Sequence, residues 1–125
     1  MKKEKILTSE LLNIENELYS KTNILFNELI DYDSSREIKL KDFRLAELYS
    51  HRNKLDLFLS INFDLNSFEF ISLIDSWDEV FEEMKETIID DDVNTSWLHE
   101  RYENYKSQHN IVDEMLRNHH ASFND

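Results

Sequence analysis

Histidine and carboxylate residues four positions apart are the first groups in this sequence that could do chemistry. His99 precedes Glu103 and His109 precedes Asp113 at this spacing, which would place each pair on one face of a helix as two ligands for a metal ion. Glu-x-x-His and His-x-x-x-His patterns are both absent from the sequence. Because a polar helix produces His/carboxylate pairs freely, we predict no metal site and no cofactor.

The segment between the third and fourth apolar patterns resembles part of a calcium-binding loop. Oxygen-bearing side chains at alternate positions imitate the first half of an EF-hand loop, and they are Asp90, Asp92, Asn94 and Ser96. The sixth position of that loop is Thr95 where the turn needs glycine, and the twelfth is Arg101 where a bidentate glutamate is needed. We therefore interpret these residues as turn and helix-capping residues.

The spacing of Arg44 and His51 fits the Arg-x(4–6)-His pattern of HEPN ribonucleases, which are helical bundles. Leu45 follows the arginine where that family usually has a polar residue. A net charge of −13 would also repel a nucleic-acid substrate. We predict neither nuclease activity nor direct nucleic-acid binding.

Composition narrows the class of protein further. The 125 residues include no glycine, proline or cysteine, which excludes glycine-dependent phosphate loops, nucleophile elbows and thiolate chemistry. Hydrophobic residues make up 40% of the chain and charged residues 33%, as in a globular protein. No segment is apolar enough for a signal peptide or a membrane span. We predict a single helical domain over residues 1–125 that is cytoplasmic, is not an enzyme and has no membrane partner.

Clusters of Asn, Asp and Ser mark the turns, because these side chains hydrogen-bond to their own backbone. The clusters are Asp31 to Ser35, Asn62 to Ser67, and Asp90 to Ser96, and they divide the chain into four segments of similar length. The first predicted helix covers about Thr8 to Ile30. The second begins after a Ser34/Glu37 capping pattern, or only at Asp42 because Ile38 to Leu40 alternates like a strand, and it ends near Ile61.

Apolar residues repeat at spacings of three and four in the first, second and fourth segments. Helix 1 is predicted to bury a seam of Leu7, Leu11, Ile14, Leu18, Leu25, Leu29 and Tyr32, with Lys21 in the remaining place. Helix 2 aligns Leu45, Leu48, Leu55 and Leu59, with Arg52 in the same stripe and His51 at its edge. Helix 4, from Ser96 to about Ser122, aligns Leu98, Tyr102, Tyr105, His109, Val112, Leu116, His119 and Phe123. A dimer in which such seams pair between two chains is an alternative arrangement.

The third segment, Asn66 to Asp92, has the most regular pattern. Its apolar face comprises Phe70, Leu73, Ile74, Trp77, Val80, Phe81, Met84 and Ile88. A capping-box pattern of Asn66 and Glu69 predicts the helix start, and the run of three aspartates from Asp90 predicts the stop. Four long amphipathic helices with short connections predict an all-α, antiparallel four-helix bundle.

Carboxylates occupy the opposite face of the third helix. We call this set the acidic ridge, and it comprises Asp75, Asp78, Glu79, Glu82, Glu83, Glu86 and Asp90. Residues 63–95 carry a charge of −10, whereas residues 1–30, 31–62 and 96–125 carry −1, 0 and −2. Like charges four residues apart each destabilise a helix by about 0.2 to 0.5 kcal/mol at low salt. Because this destabilising repulsion is concentrated in the third helix, it indicates a binding site there.

A basic protein surface is the partner that fits such a ridge, and many basic surfaces bind nucleic acid. Carboxylates about 6 Å apart along a helix are comparable in spacing with the phosphates of one strand. Our leading hypothesis is therefore a nucleic-acid mimic that inhibits a basic partner, as phage anti-CRISPR and anti-restriction proteins or nuclease immunity proteins do. The alternatives are a solubilising face without a partner, and a self-associating structural or adaptor bundle that uses the seams of helices 1 and 4.

Overall fold

A computed structural model describes residues 2–30, 41–89 and 95–123, which form four helices. Helix α1 covers Lys2–Ile30, α2 covers Lys41–Ile61, α3 covers Phe68–Ile89 and α4 covers Ser96–Ala121. A short 3-10 helix, Phe63–Leu65, lies in the connection between α2 and α3. These ranges contain no strand, so the all-α prediction is confirmed.

Side-chain contacts show the helix directions. Arg44, near the start of α2, forms an ion pair with Glu28, near the end of α1, and His51 lies 3.8 Å from Glu17 further back along α1. The two helices are therefore antiparallel. Helices α1 and α4 are also antiparallel, because Phe26 contacts His99 and the earlier residue Asn16 contacts the later residue Asp113. The same holds for α2 and α3, in which Tyr49 contacts Phe81 and Arg52 contacts Asp78. This is the predicted antiparallel four-helix bundle.

One continuous core fills the space between the helices. Its buried apolar side chains include Leu11, Leu18, Leu25, Leu48, Leu55, Leu59, Phe70, Leu73, Trp77, Val80, Met84, Leu98, Tyr102, Tyr105, Val112 and Leu116. Trp77 lies near the middle of α3, where its indole N–H donates to Thr22 Oγ1 at 3.0 Å. The predicted apolar face of the third helix is confirmed in full, with Ile74 and Phe81 packed at its edges.

The buried face of α1 differs from the predicted seam. Thr8, Glu15 and Thr22 are fully buried, whereas Lys21 is half-exposed and lies 3.7 Å from Glu47. The predicted and observed faces share Leu11, Ile14, Leu18 and Leu25. The buried face is therefore shifted towards Thr8 from the predicted seam. The buried threonines are tolerated there because a hydroxyl can hydrogen-bond within its own helix, as Thr22 does by donating to Leu18 O at 2.6 Å.

In α4, His119 was predicted in the buried seam, and this prediction is wrong. His119 is exposed, and its ring contacts Phe123 edge to face with 4.8 Å between centroids. The bundle core ends one turn earlier, at Leu116. His109 is buried at 6% exposure, as the seam predicted.

Two helix starts also differ from prediction. Helix α1 begins at Lys2 and not at Thr8, whose hydroxyl donates to Glu4 O at 2.8 Å as part of an established helix. Helix α3 begins one residue after Ser67, whose carbonyl accepts from the N–H groups of residues 70 and 71, so Ser67 caps the helix in place of Asn66.

Three predictions concern residues in the connection between α1 and α2. The capping pattern at Ser34 and Glu37, the strand-like residues 38–40 and Tyr32 of the first seam all lie outside the described residues. Helix α2 itself begins at Lys41, one residue from the later of its two predicted starts.

None of the helices in residues 2–30, 41–89 and 95–123 combines the length and the apolar content that a membrane span requires.

Candidate partner-binding site

Helix α3 places the acidic ridge on the outside of the bundle, because its core side chains face inward. Four of the seven ridge residues are exposed, and we call them the outer stripe: Asp75, Glu79, Glu82 and Glu86. Asp78 and Glu83 are half-buried on the two flanks of this stripe. Asp90 lies outside the described residues.

Two arginines from neighbouring helices neutralise part of the ridge. Arg52 of α2 donates to both carboxylate oxygens of Asp78, from Nε at 3.0 Å and from Nη2 at 3.2 Å. Arg101 of α4 lies 3.6 Å from Glu79. Arg52 is the arginine that lies in the predicted apolar stripe of helix 2, and a carboxylate from the next helix is its partner. Asp78 therefore has a structural role that holds α2 against α3.

The rest of the outer stripe faces solvent. Glu82 has an exposed ion pair with Lys85 at 3.3 Å, the kind of contact that contributes little to stability. Asp75 and Glu86 form no ion pair with any described residue. The carboxylates best placed to meet a partner are therefore Asp75, Glu82 and Glu86.

Exposed apolar side chains continue this surface at the N-terminal end of α3. We call the group the apolar end, and it consists of Leu57, Ile61, Phe63, Phe68 and Ile71, which are between 53% and 77% exposed. Phe68 and Ile71 lie on the outer face of α3 itself, in line with Asp75. Five large apolar side chains exposed around one helix connection are more than scattered surface residues and indicate a contact surface.

A buried polar cluster joins α1 to α4 on another side of the bundle. Glu15 is fully buried, and a hydrogen bond of 2.5 Å joins its Oε1 to His109 Nδ1. The ring of Tyr19 stacks on the His109 imidazole with 3.7 Å between centroids and 2° between planes. Asp113, one turn further along α4, accepts from Asn16 at 3.2 Å and from Arg117 at 2.9 Å. The spacing of His109 and Asp113 is visible in the sequence, whereas no sequence pattern indicates that Glu15 lies beside them.

Burial raises the pKa of Glu15 above its ordinary value of about 4.5, although the hydrogen bond from His109 and its charge act in the opposite direction. The folded state then binds a proton more tightly than the unfolded state at this site. Glu15 therefore stabilises the fold below its ordinary pKa, and this contribution is lost as the pH rises through the raised value.

Replacing Glu15 with glutamine removes this titration while keeping an acceptor for His109. We expect the free energy of unfolding of Glu15→Gln, relative to the unaltered protein, to increase from about pH 4.5 to about pH 7.5. Urea unfolding of both proteins at these two pH values, with a chelator present, measures the change. A relative stability that stays constant or decreases over this range would show that the pKa of Glu15 is not raised in the fold.

The other pairs singled out in the sequence have separate contacts. Arg44 pairs with Glu28 and His51 lies 3.8 Å from Glu17, so each contacts a different carboxylate of α1. His99 and Glu103 are both exposed, and the His99 ring packs edge-on against Phe26. The proposed calcium-loop residues from Asp90 to Asn94 lie outside the described residues.

Comparisons of the chain with family models, with curated proteins and with solved structures give no match.

Proposed function

We propose that the chain is a small acidic protein that binds a basic, nucleic-acid-binding partner protein and inhibits it by occupying the surface meant for nucleic acid. The observation that carries this proposal is the outer stripe of α3, which presents carboxylates to solvent over three helical turns. Phage-encoded anti-CRISPR and anti-restriction inhibitors and nuclease immunity proteins are the classes that it fits. The site of action is then the cytoplasm of a bacterial or phage-infected cell.

Charge arrangement supports a protein partner over a purely solubilising role. Arg52 neutralises Asp78 on one flank of the ridge, and Arg101 pairs with Glu79 in the outer stripe. Asp75, Glu82 and Glu86 remain acidic on the outer face of α3. Phe68 and Ile71 of the apolar end lie on this same face of α3 and would supply the desolvated contact that a specific interface needs, with the carboxylates beside them. Complementary charge then speeds association with a basic partner and rejects acidic ones.

The experiment is an affinity purification from cells of the source organism, followed by mass spectrometry and by binding measurements on the purified partner. We expect a nucleic-acid-binding protein, an affinity that falls steeply between about 50 and about 500 mM salt, and competition with nucleic acid for the same partner. A partner that binds nucleic acid and this chain at the same time would contradict inhibition by mimicry.

Self-association is the other candidate, and the apolar end is the observation that favours it. The seams of α1 and α4 are buried within the chain, so a dimer or adaptor contact needs a different surface from the one predicted. Leu57, Ile61 and Phe63 together expose apolar area close to the α2–α3 connection. Sedimentation velocity at low and high salt separates the two candidates, because apolar self-association persists when charge is screened.

A further inference from the structure

A buried carboxylate with one unsatisfied oxygen lies between α1 and α4. Glu15 is 0% exposed, and its Oε1 is bonded to His109 while its Oε2 has no hydrogen-bond partner among the described residues. An acceptor that is buried and unpaired destabilises a fold, so each such group requires an explanation. An ion that the side chains could hold is one explanation.

We infer that Glu15, His109 and Asp113 form a binding site for one divalent transition-metal ion, with Zn²⁺ as the best match. Each residue offers one ligand atom, and the three atoms all lie within 4.8 Å of one another. Imidazole nitrogen and carboxylate oxygens are ligands that Zn²⁺ accepts at about 2.0 to 2.2 Å.

Charge balance favours a divalent ion at this position. The carboxylates of Glu15 and Asp113 supply two negative charges, which a divalent ion cancels with the His109 imidazole neutral. A nitrogen ligand selects Zn²⁺ and similar transition metals over Mg²⁺ and Ca²⁺, which prefer a full set of oxygen ligands. Three protein ligands leave a fourth coordination position for water.

The surroundings provide support for the ligands and access for an ion. Tyr19 stacks on one face of the imidazole, and Asn16 donates to Asp113, so two of the ligands are held in orientation. A surface depression is lined by Asn16, Arg117 and His120, and the first two of these residues donate to Asp113. Arg117 is 64% exposed and can leave Asp113 for solvent at small cost when an ion enters.

Glu15 and His109 are also joined directly by a hydrogen bond, so this contact between α1 and α4 is made by the chain's own side chains. No metal site is predicted from the sequence, because spacing along one helix reveals only pairs such as His109 with Asp113. The third ligand lies 94 residues away on α1, outside the apolar seam predicted for that helix.

Metal titration of the chelator-treated, desalted full chain tests the inference. We expect calorimetry with ZnCl₂ to show saturable binding of one ion, and Co²⁺ to give the intense visible bands of a four-coordinate site. Asp113→Asn, at a half-exposed position, should keep the fold and weaken Zn²⁺ binding by about tenfold or more, and Glu15→Gln should do the same.

A matched control is available on the same helix. His99 and Glu103 have the same four-residue spacing but are exposed, so a His99→Gln/Glu103→Gln double variant should bind Zn²⁺ like the unaltered protein. The inference is overturned if no saturable binding occurs, or if Asp113→Asn binds as tightly as the unaltered chain. It is also overturned if the control variant is the one that loses the ion. Circular dichroism of each variant confirms that the helices are intact.

Discussion

Trp77→Ala is expected to lower the free energy of unfolding by about 3 to 5 kcal/mol. Trp77 is 1% exposed at the centre of the core, and its ring stacks on Phe81 with 5.0 Å between centroids. The replacement leaves a large cavity and removes the indole N–H that donates to Thr22. Thr22 keeps its own bond to Leu18 O, so lost packing accounts for most of the effect. Urea unfolding followed by far-ultraviolet circular dichroism measures it.

Trp97→Ala is the matched control, because Trp97 is the other of the two tryptophans and is 59% exposed. We expect it to change the free energy of unfolding by less than about 0.5 kcal/mol. A loss below about 1 kcal/mol for Trp77→Ala would contradict the packing described here, since it would mean that α3 presents a different face to the core.

The sequence predicts the inward face of α3 and most of that of α4, for a physical reason. In both helices large apolar residues recur at spacings of three and four while the remaining positions are polar, so only one face can be buried. Phe70, Trp77 and Met84 are buried as this pattern requires, and so are Leu98 and Tyr105. The pattern cannot say where the neighbouring helices end, which is why His119 was placed in the core.

Helix α1 shows where pattern alone is insufficient. Leu11, Leu18 and Leu25 recur every seven residues and belong equally to two overlapping faces. Ile14 is also common to both faces, whereas one face adds Lys21 and the other adds Glu15 and Thr22. Each face would therefore bury one charged residue, and burying a lysine is as unfavourable as burying a glutamate. The choice depends on His109 of α4, which provides Glu15 with a buried partner, and sequence spacing carries no information on that contact.

The acidic ridge was predicted as one surface, and only neighbouring helices could show that it has parts with different roles. The sequence places Arg52 in the apolar stripe of helix 2, but nothing in the sequence identifies Asp78 of α3 as its partner. Because Asp78 and Glu79 pair with arginines of neighbouring helices, Asp75, Glu82 and Glu86 are the residues to change in a functional test. Their charges can be reversed without breaking a contact between helices.

Replacing Asp75, Glu82 and Glu86 together with lysine is expected to weaken partner binding by about two orders of magnitude, mainly through a slower on-rate. Each new lysine would meet a basic surface as a repulsive contact. The free energy of unfolding should be equal or higher, because like-charged pairs four residues apart on α3 become oppositely charged pairs. The lysine at position 75 would lie next to Glu79, and the lysine at position 82 next to Asp78. Interferometry with the identified partner, beside a thermal melt, measures both quantities.

Net charge must be separated from position, since three changes to lysine take the charge from −13 to −7 wherever they are made. The control variant therefore changes Glu10, Glu103 and Glu114 to lysine, which are exposed on α1 and α4. Under the inhibitor proposal this control loses only a small part of the on-rate, because long-range attraction falls but the contacts on α3 remain. Equal affinities for both variants would mean that only total charge matters. Full affinity in the ridge variant would make the outer stripe a solubilising face and leave the apolar end as the surface that binds.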